Sequence, residues 1–372
     1  MLNRAWRNLV LFACLLPLSL RGLAQGQQKP GPAYKVGISF RSFLPKEPYN
    51  WRGAKTHALL TTVWYPAASS AVEKPVQIPG MSQVFVTGSA AQDASLAASP
   101  AKSPLIVLSH GTGGSALQMA WLGPELAAHG YIAAAVNHPG NNATEAYTAL
   151  GFSTWWERAR DLSTVIDMML ADSTFGSRVD ASRIAAAGFS LGGYTMIEIA
   201  GGITEPAALT EFCASPRADG TCKSPPEFPT LLEDFDRLSK TDADFQAALR
   251  HASDSYRDPR VRAVFAIAPA LGPAFRSASL EKISIPVAIV AGESDTSVPV
   301  ASGAKYFAAN IPGAKLTIFP GDVGHYVFLD SCTDAGRKTL AVLCTDGKGV
   351  DRDAIHAKTA ALAEEFFGAA LK

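Results

Sequence analysis

The chain has 372 residues, 48% of them apolar, which is enough to bury a large core in one to three domains. Only 18% of residues are charged, and Lys plus Arg balances Asp plus Glu at 33 each. That composition excludes a disordered or collagen-like chain and leaves no basic footprint for nucleic acid.

Residues 1–24 read as a secretory signal peptide. Arg4 and Arg7 form a positive start, and Leu9 to Leu20 is an apolar run too short to span a bilayer. Gly22-Leu23-Ala24 offers small residues for cleavage after Ala24. A lipid anchor at Cys14 is the alternative, and the bulky Phe12 argues against it. The polar Pro/Gly leader 25–33 is expected to be disordered. The mature protein is therefore expected outside the cytoplasm, secreted or periplasmic, with no stable membrane insertion.

Tyr34 to Phe43 and Ala58 to Tyr65 are rich in β-branched and aromatic residues and read as strands joined through a turn at Arg52-Gly53. Pro66 is expected to end the second strand. Residues 67–103, rich in Ala, Ser, Pro and Gly, read as a long surface excursion. From Leu105 to Leu108 the chain is continuously apolar, as in a parallel strand covered on both faces. It ends in Ser109-His110-Gly111-Thr112-Gly113-Gly114. A helix is expected from about Leu117, closed by Gly130, then a strand from Tyr131 to Val136 and the loop Asn137-His138-Pro139-Gly140. Trp155 to Ala171 carries Leu162, Val165, Ile166, Met169 and Leu170 at helical spacing. Further strands are expected at Arg183 to Ala187, Val261 to Ala268, Val287 to Ala291 and Leu316 to Phe319, and a last helix from Asp351 to Ala370. The alternation predicts an α/β fold with a doubly wound, mostly parallel sheet over residues 34–372. Residues 203–259 interrupt it and read as an inserted cap.

Ile184 to Tyr194 contains Gly188-Phe189-Ser190-Leu191-Gly192, a G-x-S-x-G turn between a strand and a helix. A serine at the tip of so tight a turn needs neighbours without bulk, and the following helix aims its positive end at it. Serine is a poor nucleophile unless a base takes its proton and a carboxylate fixes that base. The chain order for this fold class is serine, acid, histidine. His325, after Pro320-Gly321-Asp322-Val323-Gly324, has the required order and loop position. Asp295 is the preferred acid, with Glu293 as competitor in the same loop. Main-chain N–H groups of Leu191 and Thr112 are the expected oxyanion donors. His110 is expected to fix its loop rather than to react. Trp155, Trp156 and Tyr194 are candidates for an acyl pocket.

Beyond Cys14, four cysteines remain, which allow three pairings. Sequence proximity favours Cys213–Cys222 and Cys332–Cys344, in keeping with an oxidising compartment. There is no C-x-x-C spacing and no adjacent histidine, so no metal site is expected.

These motifs resemble those of secreted bacterial α/β-hydrolases of the dienelactone-hydrolase-like and platelet-activating-factor acetylhydrolase type. The likeness covers about residues 34–370 and rests on Trp64-Tyr65-Pro66, the loops 109–114 and 137–140, the turn 188–193, and the Asp295 and His325 loops. The turn and the acid loop are also similar to those of cutinase-like polyester hydrolases. True dienelactone hydrolases carry cysteine where this chain has Ser190. The resemblance implies ester hydrolysis through Ser190, Asp295 and His325, without cofactor or metal. The expected substrate is a small or medium ester passing through an acyl-enzyme. Polyester hydrolysis, peptidase or amidase action on the same residues, and a non-enzymatic binding role are the alternatives.

Overall fold

The computed structural model describes residues 34–372 except 47 and 79. The signal peptide and leader lie outside the described residues. The described strands are β1 (Lys35–Phe43), β2 (Leu59–Ala67), β3 (Lys74–Pro75), β4 (Ser89–Gln92), β5 (Ser103–Ser109), β6 (Ile132–Val136), β7 (Val179–Phe189), β8 (Val261–Ile267), β9 (Val287–Gly292) and β10 (Lys315–Phe319). They form one sheet in the order β10-β9-β8-β7-β5-β6-β2-β1-β4-β3. From β6 to β10 the pairs are parallel, and β1 and β2 join antiparallel. The fold is the α/β-hydrolase arrangement, with helices on both faces of the sheet.

Two apolar layers explain why the central strands lack polar alternation. Leu105 and Val107 of β5 join the cluster on one face, and Ile106 and Leu108 join the cluster on the other. β7 divides in the same way, with Ile184 and Ala186 on one side and Ala185 and Ala187 on the other. A strand covered on both sides has no face on which a polar residue stays wet. The small alanines of β6 and β7 let helices approach closely. The helices Arg158–Ala171 and Arg352–Ala370 contribute Leu162, Val165, Ile166 and Met169 to one layer and Ala363, Phe366 and Phe367 to the other.

Two expectations are corrected. β2 runs through Pro66 to Ala67, with Pro66 opposite Val36 of β1. β6 pairs with β2 only from Thr61 to Trp64, so the missing proline N–H leaves no ladder bond unmade there. The helix expected from Leu117 divides into a short turn at Ala116–Met119 and a helix at Gly123–Ala128. Gly123 lies against the Trp64 indole, where a Cβ would come within 2.3 Å of a ring carbon.

Residues 203–259 contain three helices, Pro206–Cys213, Leu231–Thr241 and Ala243–Arg250. Asp242 caps the last by accepting from the Phe245 N–H at 2.8 Å. Cys213–Cys222 and Cys332–Cys344 are disulfide-bonded. Among the described residues no helix is long and apolar enough to cross a membrane.

Candidate active site

The site lies at the carboxyl ends of β5, β7, β9 and β10, where parallel strands leave a crevice. Ser190 follows β7 at once, with φ 57° and ψ −114°. That backbone is strained for a residue with a side chain, and two main-chain bonds hold it. The Ser190 N–H donates to the Ile267 carbonyl at 2.8 Å, and the Ser190 carbonyl accepts from Ala270 at 3.1 Å. The flanking glycines are required by close approach. A Cβ on Gly188 would lie 2.4 Å from the Gly192 oxygen, and one on Gly192 would lie 2.0 Å from the Ser109 oxygen.

His325 opens a short turn, His325–Phe328, beyond β10. Its Nε2 is 2.9 Å from Ser190 Oγ, and its Nδ1 is 2.6 Å from Asp295 Oδ2. The other Asp295 oxygen accepts from the Ser297 and Val298 N–H groups at 3.0 and 2.7 Å. Those two bonds fix the carboxylate before the imidazole meets it. Nδ1 therefore carries the proton and Nε2 is free to accept from serine. Glu293 turns elsewhere, accepting from the Gly321 N–H at 2.7 Å. Ser190, His325 and Asp295 are 6 to 8% exposed, and the Phe189 ring lies 4.8 Å from the imidazole.

The loop after β5 explains which amide is left for an oxyanion. Gly111 N–H donates to Gln118 Oε1 at 2.8 Å, Gly113 N–H to Asn141 Oδ1 at 2.7 Å, and Gly114 N–H to the Gly111 carbonyl at 3.2 Å. The Thr112 N–H has no such bond among the described residues, nor has the Leu191 N–H at the start of the helix Leu191–Ile199. Both residues line the same cavity as Ser190 and His325.

That cavity has a volume of about 780 Å³. Trp155 lines it, as do Tyr147, Phe152, Leu209, Leu231 and Phe235. The wall thus combines the loop before the helix Arg158–Ala171 with the 203–259 segment. Trp156 and Tyr194 do not line it. Trp156 is fully buried between Trp155 and Phe245, and it anchors the inserted helices. Tyr194, one helical turn past Ser190, points into the core, where its hydroxyl donates to Glu198 Oε1 at 2.9 Å and meets Thr204.

A second serine–histidine–aspartate array, absent from the sequence-based expectations, lies beneath the loop. Ser109 Oγ is 2.8 Å from His138 Nε2, and His138 Nδ1 is 2.7 Å from Asp161 Oδ2. Arg52 clamps Asp161 with bonds of 2.9 and 2.7 Å. Ser109 and His138 are both fully buried, and neither lines the cavity. No substrate reaches them, so this array supports the loop. Burial, with Arg158 and Arg52 nearby, holds His138 neutral. His110 is neutral for the same main reason, donating from Nδ1 to the Gly111 carbonyl at 2.7 Å and accepting from the His138 N–H at 3.2 Å. His110 is thus the loop-fixing residue the sequence suggested. The sequence signal for this layer was the loop 137–140, whose partners Arg52 and Asp161 are distant in the chain.

Residues 106–335 match the family described as "Alpha/beta hydrolase family". Cutinase est1 of Thermobifida alba is 35% identical over 97 residues, which is 26% of this chain and 29% of that protein. Lipase 1 of Moraxella sp. (strain TA144) is 32% identical over 80 residues, 22% of each chain. The chain thus spans less than a third of the length of these relatives. A solved structure of a ferulic acid esterase from Streptomyces cinnamoneus superposes with a TM-score of 0.61 over 92% of both chains, at 20% identity. That likeness concerns the fold.

Proposed function

We propose, for a chain that belongs to the alpha/beta hydrolase family, that it hydrolyses carboxylic esters with Ser190 as nucleophile, His325 as base and Asp295 as the acid that orients it. The observation that carries this reading is the unbroken relay from Asp295 through His325 to Ser190 at the wall of a cavity, beside two uncommitted amides. His325 takes the serine proton as Ser190 Oγ attacks the ester carbonyl. The oxyanion rests on the N–H groups of Leu191 and Thr112. The same proton passes to the departing alcohol, and water then hydrolyses the acyl-enzyme by the reverse route.

The named relatives include a cutinase and a lipase, which supports ester over amide cleavage. The roofed cavity favours a small or medium ester over a polymer strand. We read residues 203–259 as the cap that shapes it. The disulfides and the leader sequence support export. Within the family, Trp64-Tyr65-Pro66 and the loop 109–114 favour kinship with the dienelactone-hydrolase-like and platelet-activating-factor acetylhydrolase-type enzymes.

The test is turnover of a short-chain nitrophenyl ester by the purified protein, together with labelling by an organophosphonate. Ser190→Ala should lose about 10⁴-fold or more in kcat. The phosphonate mass should appear on Ser190 and not on Ser109. Undiminished turnover by Ser190→Ala, or no adduct on the wild type, would sink the reading.

A further inference from the structure

The cavity wall contains an acid that the reaction above does not use. Glu227 sits in the turn between the helices Pro206–Cys213 and Leu231–Thr241 and is half-buried. It reaches the oxyanion loop from above: a Cβ built on Gly113 would lie 3.1 Å from Glu227 Cβ and 2.9 Å from Tyr147 Oη. The Tyr147 hydroxyl donates to the Gly113 carbonyl at 2.7 Å. Tyr147 and Tyr326 both line the cavity, and the negative charge of Glu227 bears on both phenols.

Among the described residues no lysine or arginine pairs with Glu227, and the cationisable side chain whose charge bears on it is His325. Lys223 also lines the cavity but is exposed and has no such influence. The remaining acid of the wall, Asp330, keeps both carboxyl oxygens sealed from water. Burial raises the Glu227 carboxyl above the usual range, and a cation beside it would favour the ionised form. A carboxylate that shares a cavity wall with two phenols matches the chemistry that recognises alkylammonium groups, through charge and through aromatic rings.

We propose that Glu227, with Tyr147 and Tyr326, forms a subsite for a positively charged group on the alcohol half of the ester. The proposal rests on the esterase reading above. The alcohol half is indicated because His325 must face the leaving oxygen, and Tyr326, whose ring centroid lies 5.5 Å from that of His325, lines the same cavity as Glu227. The bond changes are those of the esterase: the Ser190 Oγ–acyl bond forms, the acyl–alcohol bond breaks, and the alcohol leaves with the proton relayed by His325. Water then releases the acid. Glu227 exchanges no proton with substrate.

The experiment compares kcat/KM for the choline ester of butyric acid and for its uncharged isostere, 3,3-dimethylbutyl butyrate. The wild type should prefer the cationic ester by about tenfold at low salt, as expected for one charge with ring contacts in a partly desolvated site. In Glu227→Gln that ratio should fall toward one. A wild-type ratio of one or below, or an unchanged ratio in Glu227→Gln, overturns the proposal and leaves the esterase reading intact. If Glu227→Gln does not fold, the wild-type ratio decides at low and high salt: it must exceed one and shrink as salt rises. Turnover of neither ester, nor of the nitrophenyl ester, overturns the esterase reading and this proposal with it.

Discussion

The guanidinium of Arg158 donates to the main-chain carbonyl of His110, so a buried cation grips the first residue of the loop 110–114. Arg158 opens the helix Arg158–Ala171 and is 1% exposed. Its hold sets where the next amides lie, Thr112 among them. A donor displaced by about 1 Å can cost on the order of 10²-fold in rate. Arg158→Lys keeps the charge but withdraws the guanidinium nitrogen that reaches the His110 carbonyl. It should lower kcat by roughly 10- to 100-fold with KM nearly constant, read in steady-state kinetics on a neutral ester. A matching rise in KM with kcat preserved would place Arg158 in substrate binding instead.

Asp295 and Glu293 share one loop but not one role. Asp295→Asn can still meet His325, yet it presents an amide where the imidazole N–H needs an acceptor, so the wrong tautomer is favoured. Its kcat should fall by about 10⁴-fold. Glu293→Gln loses only the charge on the bond to Gly321 and should stay within about tenfold of wild type. Equal losses in the two variants would show that the acid has been misassigned.

Much of this architecture was readable in the chain and some was not. β5 and β7 were legible because a strand covered on both faces must be continuously apolar, Ser190 and Asp295 because each follows such a strand, and His325 because its loop follows the edge strand β10 in the expected chain order. The acid choice was open in sequence; main-chain bonds from Ser297 and Val298 are what turn Asp295 toward His325. Trp156 and Tyr194 misled, since an aromatic near a reacting serine can face the core or the cavity equally well in sequence. Both face the core here because Phe245 covers one and Glu198 with Thr204 satisfies the other. Glu227 was invisible, lying in a proline-rich turn with no motif. The same holds for the bond from Arg158 to His110, which joins residues far apart in the chain.

Acid should destabilise the protein through its buried histidines. Burial depresses His356 to about 4 and holds His110 and His138 well below the ordinary value. Between the depressed values and the unfolded value near 6.5, the unfolded chain binds more protons. Their contribution is therefore full above about pH 6.5 and declines as pH falls toward 4, by up to about 1.4 kcal/mol per pH unit for each group. A His356→Gln variant isolates one of these groups: its urea midpoint relative to wild type should be constant between pH 7.5 and 6.5 and rise by pH 5.0, because only the wild type loses the His356 contribution. A relative midpoint that does not change below pH 6.5 would contradict the assignment.

Two buried acids act in the opposite sense. Burial raises Glu198 and Asp330 well above the usual carboxylate range. Their contribution is full below the unfolded values and is lost as pH rises above them toward the raised folded values. Glu198 accepts from Tyr194 and Thr204 on one oxygen, while its other oxygen has no partner. An amide preserves that acceptor without a titrating charge. Glu198→Gln should thus match or exceed the wild-type thermal midpoint at pH 8, measured by circular dichroism. A drop of several degrees would mean that the ionised carboxylate is needed.

The contact between Gly192 and Ser109 sets nucleophile and oxyanion loop against each other through bare main chain, with no room for a methyl group. Their spacing thus has the tolerance of peptide geometry and not that of side-chain packing. Core residues around them can be exchanged for others of similar volume while the attack distance stays constant. The cavity wall, built instead from side chains of the 203–259 segment, has no such constraint. Drift in that segment can reshape the cavity without disturbing how Ser190 and the loop 110–114 are set against each other.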